Sequence, residues 1–358
     1  VDEHAQEIGF VSMTRADDLY FTDKMSLTRH GIAEQHQIIN VEGEKVRNWF
    51  ISPNANHALF PYDSTLEPAN LGTLPQMHHF LWPHRSHLWL RREPNGNHKE
   101  IGLTWHEWSR FQRGRFKQPL SIAFAFVSTH NHFVLDRGGK TFKRTAPVIK
   151  LAEDATEQDH LSLMSALNSS TACFYMKQIF HDKGNGGYGG GIAADTWERF
   201  FEYDCTKMKL VPIPDSRPTE LAEQVDALAQ KLSANEPSSL ASESTPTPDK
   251  LEEAKVEQER VFEEMVALQE ELDWRCYVSY GLLEEDEAPV VPDDKLDDLP
   301  QVRLGERAFE IRMAKKIEDG DLVTSWFERH GSTPTTEIPE RYPDWYKELV
   351  KKRVSSSA

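Results

Sequence analysis

Apolar side chains follow two rhythms along this chain. Up to about residue 151 they come in short β-type runs bounded by turn residues: Ile8–Met13, Gln37–Val41, and Trp49–Ile51 stopped by Ser52-Pro53-Asn54. Leu120–Val127 alternates in the manner of a strand, and Phe133–Leu135 and Ala146–Leu151 read as two more. Between Leu81 and Arg92 the pattern predicts that Trp82, Leu88 and Leu90 are buried, and that Arg85, Arg91 and Arg92 face outward unless they find partners. From Asp159 the spacing turns helical, with Leu161, Met164 and Leu167, and Asn168-Ser169-Ser170 ends one helix and caps another running toward Phe180. Leu221, Val225, Leu228 and Leu232 form one apolar stripe, and Val261, Met265, Leu268 and Leu272 form a second on a helix over about 251–280. Residues 235–250 between them are rich in Ser, Pro, Thr and Glu and read as a mobile linker within a helical hairpin. A last helix is predicted over roughly 305–317, followed by a turn-rich tail from Thr333.

These elements predict an α+β fold, a small mixed or antiparallel sheet domain followed by a helical hairpin scaffold. The expected boundaries are a sheet domain over 1–160, a helical junction with a Gly-rich loop over 161–215, and the hairpin over 216–283. An acidic loop, short helix and tail complete the chain over 284–358.

Charge changes the picture once it is partitioned. The 358 residues carry 58 acidic and 41 basic side chains, a net charge of −17, which taken whole argues against nucleic acid. Residues 81–150, however, sum to +9 and residues 201–300 to −17. Such asymmetry points to a polyanion-binding face beside an acidic, solvated module. No apolar run reaches the ~18 residues of a membrane span. Three scattered cysteines suggest neither a disulfide framework nor a zinc module and fit a cytoplasmic protein. The chain does not start with Met and is read as a fragment.

The stretch Trp105–Lys117 interleaves Arg110, Arg113, Arg115 and Lys117 with Trp108, Phe111 and Phe116. Arg and Lys there can hold phosphates, and Arg can read guanine bidentately. A strand–turn–strand order would gather Arg137, Lys140, Lys143 and Arg144 around one hairpin end, with Arg85 and Arg91 upstream as further candidates. Lys183 and the glycines of 184–191 could cradle a backbone phosphate, although the order of a nucleotide-binding loop is absent. The histidine clusters at 78–87 and 130–132 lack a metal-site pattern. Pro248-Asp249 and Glu253-Ala254-Lys255 resemble a nuclease motif, but they straddle a linker and a helix, where strand-held carboxylates are needed. No catalytic residue and no metal site is assigned.

Several stretches in order resemble a known enzyme class: Val46–Trp49 with Ala58–Tyr62, Trp105-His106-Glu107, Phe133–Asp136 with Gly139-Lys140, Leu167–Ser170, and Met265–Trp274 with Tyr280–Leu282. They are similar to the TaqI-like specificity region of single-chain restriction–modification methyltransferases. Leu304–Phe309 and Trp326–Gly331, with the Gly-rich loop, narrow the likeness to the PglX family of adenine-specific methyltransferases of BREX phage-defence systems, of the type 2 branch. The resemblance implies a target recognition domain that binds double-stranded DNA. It further implies a parent enzyme that methylates adenine N6 with S-adenosylmethionine and works beside other BREX proteins. The chain has no Pro-Pro pair for an adenine-flipping loop and no visible S-adenosylmethionine site, so the cofactor is expected in a missing domain. The alternative is a protein-interaction module whose basic surface is incidental. A phage DNA mimic is a further conceivable partner.

Overall fold

The computed structural model describes residues 1–53, 55–184 and 199–356. It divides into two compact units, one of residues 1–160 with 175–212, the other of 161–174 with 213–358. The architecture is α+β, with all the named strands in the first unit.

In the first unit, strand Ser121–Phe124 is buried at every position because it lies inside a sheet, flanked by Val148–Lys150 and Phe133–Asp136, with Glu7–Gly9 on the far edge. These pairings are all antiparallel. A second sheet runs Lys140–Phe142, Gln37–Val41, Asn56–Leu59, Phe21–Thr22, and its first pair is parallel. The expected hairpin return after Asp136 therefore does not form. Gly138 and Gly139, at φ 93° and 75°, turn the chain away, and Lys140–Phe142 joins the other sheet. Burial of Phe142 beside Val41, Val46 and Val148 gives that departure its apolar reward. A separate aromatic cluster packs Tyr20, Phe60, Tyr62 and Trp108, with Phe111 and Phe116 against it. The interleaved aromatics of 105–117 are thus core.

Helices Pro75–Leu81 and Arg85–Trp89, joined by the turn Trp82–His84, occupy a stretch for which no helix is predicted. Burial here departs from the sequence expectation at Trp82 and Leu90, while Leu88 is buried and Arg85 and Arg92 are exposed as expected. Trp82 is 51% and Leu90 66% exposed, whereas Arg91 is 4% exposed.

In the second unit, helices Thr219–Ala234 and Pro248–Ser279 pack their stripes together, burying Leu221, Val225 and Leu232, and Val261, Met265, Leu268 and Leu272. Residues 235–250 hold a short helix, Pro237–Glu243, rather than an unstructured linker. Pro237 opens it at a position where a missing N–H costs nothing, and Leu240 anchors it by burial. Helix Ser170–Ile179 begins as the Asn-Ser-Ser segment predicts: Ser169 Oγ accepts from the Ala172 amide at 3.1 Å, and Asp273 accepts from the Ser170 amide at 2.7 Å. The nuclease-like residues 248–255 lie together on one helix, not on strands.

The tail contains a further helix, Asp344–Ser356, which the turn signals before it obscure. Its buried Tyr346, Leu349, Val350, Arg353 and Val354 make one face, with a charged residue at the centre. Arg353 is fully buried and pairs with the equally buried Glu271. Its Nε donates to Pro289 O at 2.9 Å, and Glu270 lies 3.7 Å from Nη1. Glu271 also accepts from Arg275 at 2.9 Å and from the Val291 amide at 3.0 Å, and Glu270 accepts from the Ala308 amide at 2.8 Å. Helix Ala308–Glu318 joins through Glu310, which accepts from the Gly305 amide, Arg307 and Trp326 Nε1.

Candidate nucleic-acid interface

Residue type and spacing mark out the candidate cations, and the structure gives most of them carboxylate partners. Arg91 is the plainest correction. Its guanidinium donates to the carbonyls of Leu88, Thr14, Trp105 and Glu107 at 2.7–3.1 Å, contacts His98, and lies over the Tyr20 ring. Burial pulls its pKa below the ordinary arginine value. A side chain so enclosed is out of reach of DNA.

The stretch 105–117 behaves similarly. Arg110 pairs with Glu93 at 3.4 Å, and Arg113 donates to Leu66 O at 2.7 Å beside Glu67. Arg115 binds Glu7 at 2.8 Å and Phe10 O at 2.9 Å. Its guanidinium lies against Gly9 so closely that a Cβ there would sit 2.7 Å from Nη1. Of the four, Lys117 alone is exposed with no carboxylate partner among the described residues.

Around the Gly138-Gly139 turn, Arg137 grips Glu157 and Lys140 binds Asp136 at 2.9 Å. Lys143 bridges Asp17 at 2.7 Å and Glu42 at 2.8 Å. Burial would lower the Lys143 pKa, but those two carboxylates outweigh it and hold it above the ordinary lysine value. Arg144 is exposed, with no carboxylate partner among the described residues. Lys183 pairs with Glu202, and positions 185–191 of the Gly-rich segment lie outside the described residues. Arg85 is exposed, its guanidinium 4.9 Å from the centroid of the Trp82 ring. The structure therefore leaves Arg85, Lys117 and Arg144 as the available members of the predicted set.

Two basic groups are enclosed by fold rather than poised for chemistry. His132 Nδ1 donates to Asn48 Oδ1 at 2.6 Å, and burial, with His130 and Arg47 nearby, pushes its pKa down to about 2. Lys150 Nζ donates to Gln118 O and Leu120 O, and burial lowers it to about 8 against the pull of Asp136. The turn Gly138-Gly139 joins two strands, not a strand to a helix. It does not fit the phosphate- or methyl-donor-binding loops that open a helix after a parallel strand. A cleft of about 520 Å³ lined by Phe60, Tyr62, Leu66 and His36 carries one carboxylate, Asp63, which is engaged by Thr65. Among the described residues no group of three or more potential metal ligands gathers, and no helix is long and apolar enough to cross a membrane.

One surface around the candidate Arg85 carries exposed basic groups beyond the candidate cations. Between Glu67 and Glu93 there is no acidic residue, and this stretch exposes His79, His84, Arg85, His87 and Arg92 around the half-exposed Trp82. The gap in Asp and Glu was the signal available, and a count of cations alone does not reveal it.

The chain matches known proteins along most of its length. Over 354 residues, 98% of its length, it is 38% identical to the adenine-specific methyltransferase PglX of Streptomyces coelicolor. The chain is a relative of PglX. It spans 29% of the length of PglX, and the likeness first drawn from the order of its motifs is the one found. A domain of unknown function, DUF7008, matches residues 265–357, which include the buried Glu271–Arg353 network of this PglX relative. Among solved structures, the type IIL restriction–modification enzyme MmeI in complex with DNA overlaps 78% of this chain and 33% of its own, at 13% identity and a TM-score of 0.42.

Proposed function

We propose that this chain is the part of an adenine-specific DNA methyltransferase that recognises double-stranded DNA, serving a BREX-type, restriction–modification-like defence against phage. The observation that carries this reading is the 38% identity to PglX across 98% of the chain. The methyl donor, S-adenosylmethionine, would be bound by other parts of the parent enzyme, and no catalytic step is assigned to this chain. The first unit is nearly neutral overall while the second carries almost the whole net negative charge, which leaves the first better suited to approach a polyanion. Of the candidate cations, Lys117, Arg144 and Arg85 are exposed and without carboxylate partners among the described residues, which leaves them free to meet a phosphate.

Titration of labelled duplex with the chain at 50 and 200 mM salt tests the reading. Binding that weakens steeply with salt is expected. Absence of binding, or binding indifferent to salt, would overturn it.

A second reading has one specific observation behind it. Val256 and Phe262 are 58% and 43% exposed on the acidic helix Pro248–Ser279, a surface suited to a partner protein. Other defence proteins, or a phage DNA mimic acting on the first unit, are the partners this reading would supply.

A further inference from the structure

In the first unit cations are numerous, and most of those predicted to act are compensated by carboxylates. The helical stretch 75–92 differs in having no acidic residue of its own. It has no Asp or Glu from Pro68 to Arg92, in a chain where 58 of 358 residues are acidic. Arg85 and Arg92 are exposed, and neither has a carboxylate partner among the described residues. Trp82, 51% exposed, stands at the turn between the two short helices, with His78 and Trp105 set edge-on to it at 5.1 and 6.2 Å. The Arg85 guanidinium lies over that ring at 4.9 Å.

From this arrangement we infer that residues 75–92 form the phosphate-contacting surface of the chain, with Arg85 and Arg92 as the contacts and Trp82 as the positioning residue. The inference rests on the DNA reading above and moves the main contact surface from 105–144 to 75–92. Three physical points support it. Uncompensated cations keep their full attraction for a polyanion, whereas a cation already paired must first give up its carboxylate. An arginine stacked on an aromatic face keeps its edge N–H donors free, and those donors match two phosphate oxygens. The ring also restrains a long side chain that would otherwise lose rotamer freedom on binding. Phosphate contacts position a duplex without reading its bases, so this surface contributes affinity and register rather than sequence choice.

The test uses the full 358-residue chain and a labelled duplex at several salt concentrations. Arg85→Gln with Arg92→Gln should lower the slope of log K against log salt by about 2 and weaken binding about fifty-fold at 0.1 M salt. Trp82→Ala keeps the charge and should weaken binding only two- to fivefold, with the slope unchanged. Lys209→Gln with Lys351→Gln removes the same charge elsewhere and should change the slope by less than about 0.5. If the wild type binds and the Arg85/Arg92 variant binds equally well with the same slope, the surface is misplaced while the DNA reading stands. If the Lys209/Lys351 control loses as much as the Arg85/Arg92 variant, net charge and not this surface is responsible, and the inference fails. If the wild type does not bind duplex at all, both fall together.

Discussion

The two units of this chain share partly exposed ion pairs, but the second adds a pair that is buried on both sides. In the first, pairs such as Arg137–Glu157 and Lys140–Asp136 keep at least one partly exposed member and fasten neighbouring loops and strands. In the second, Arg353 and Glu271 are both fully buried and join helices 82 residues apart in sequence. Partly exposed pairs are screened by water and contribute little each, whereas a buried pair has already lost its hydration and depends on every partner being present. The lesson concerns function as much as stability. A cation in a basic stretch is a binding candidate only when the fold has not already used it.

The strongest way to break the comparison is to remove one member of the buried network. Arg353→Ala should destabilise the second unit by about 3–5 kcal/mol, because Glu270 would remain buried without a paired cation and Glu271 would keep only Arg275. Urea unfolding measures this, and a loss below about 1 kcal/mol would place Arg353 with the surface pairs. Arg91 should behave like a member of the second unit despite its place in the first. Arg91→Met takes the donor from the Leu88, Trp105 and Glu107 carbonyls, leaves Thr14 O with Ser109 Oγ alone, and should cost about 3 kcal/mol in the same assay.

The pH response sharpens the contrast further. Burial holds His132 at about 2, below the usual value of about 6.5, so the unfolded chain binds a proton there that the folded chain refuses. The stability this contributes is full above pH 6.5 and is lost as pH falls toward 2. Between pH 6.5 and 5 the loss from this group should be about 2 kcal/mol. His132→Gln should remove that part of the slope, and an unchanged slope would show that His132 titrates freely in the fold. The smallest effect belongs to the exposed pairs: Arg137→Ala should change stability by less than about 1 kcal/mol. A larger loss would mean that this pair acts as a buried one.

Much of the fold was legible from apolar rhythm. The strand predicted over 120–127 appears as Ser121–Phe124, and the stripes at Leu221–Leu232 and Val261–Leu272 become two packed helices. Those signals are local, since each element's own spacing says which face is buried. The helix Asp344–Ser356 escaped notice because its buried face includes Arg353, which reads as polar until Glu271 is placed beside it. The candidate site was legible in residue type but not in use. Lys143 is separated from Glu42 by 101 residues, Arg115 from Phe10 by 105, and Arg91 from Thr14 by 77.

The sequence by itself determined the α+β order, the two helical stripes, the likeness to PglX and the division between a basic stretch and an acidic one. Each of these depends on neighbouring residues or on their order along the chain. Only the tertiary structure decided which cations remain available. Pairing depends on which carboxylates and carbonyls fold to within about 3 Å, and spacing along the chain does not report that distance.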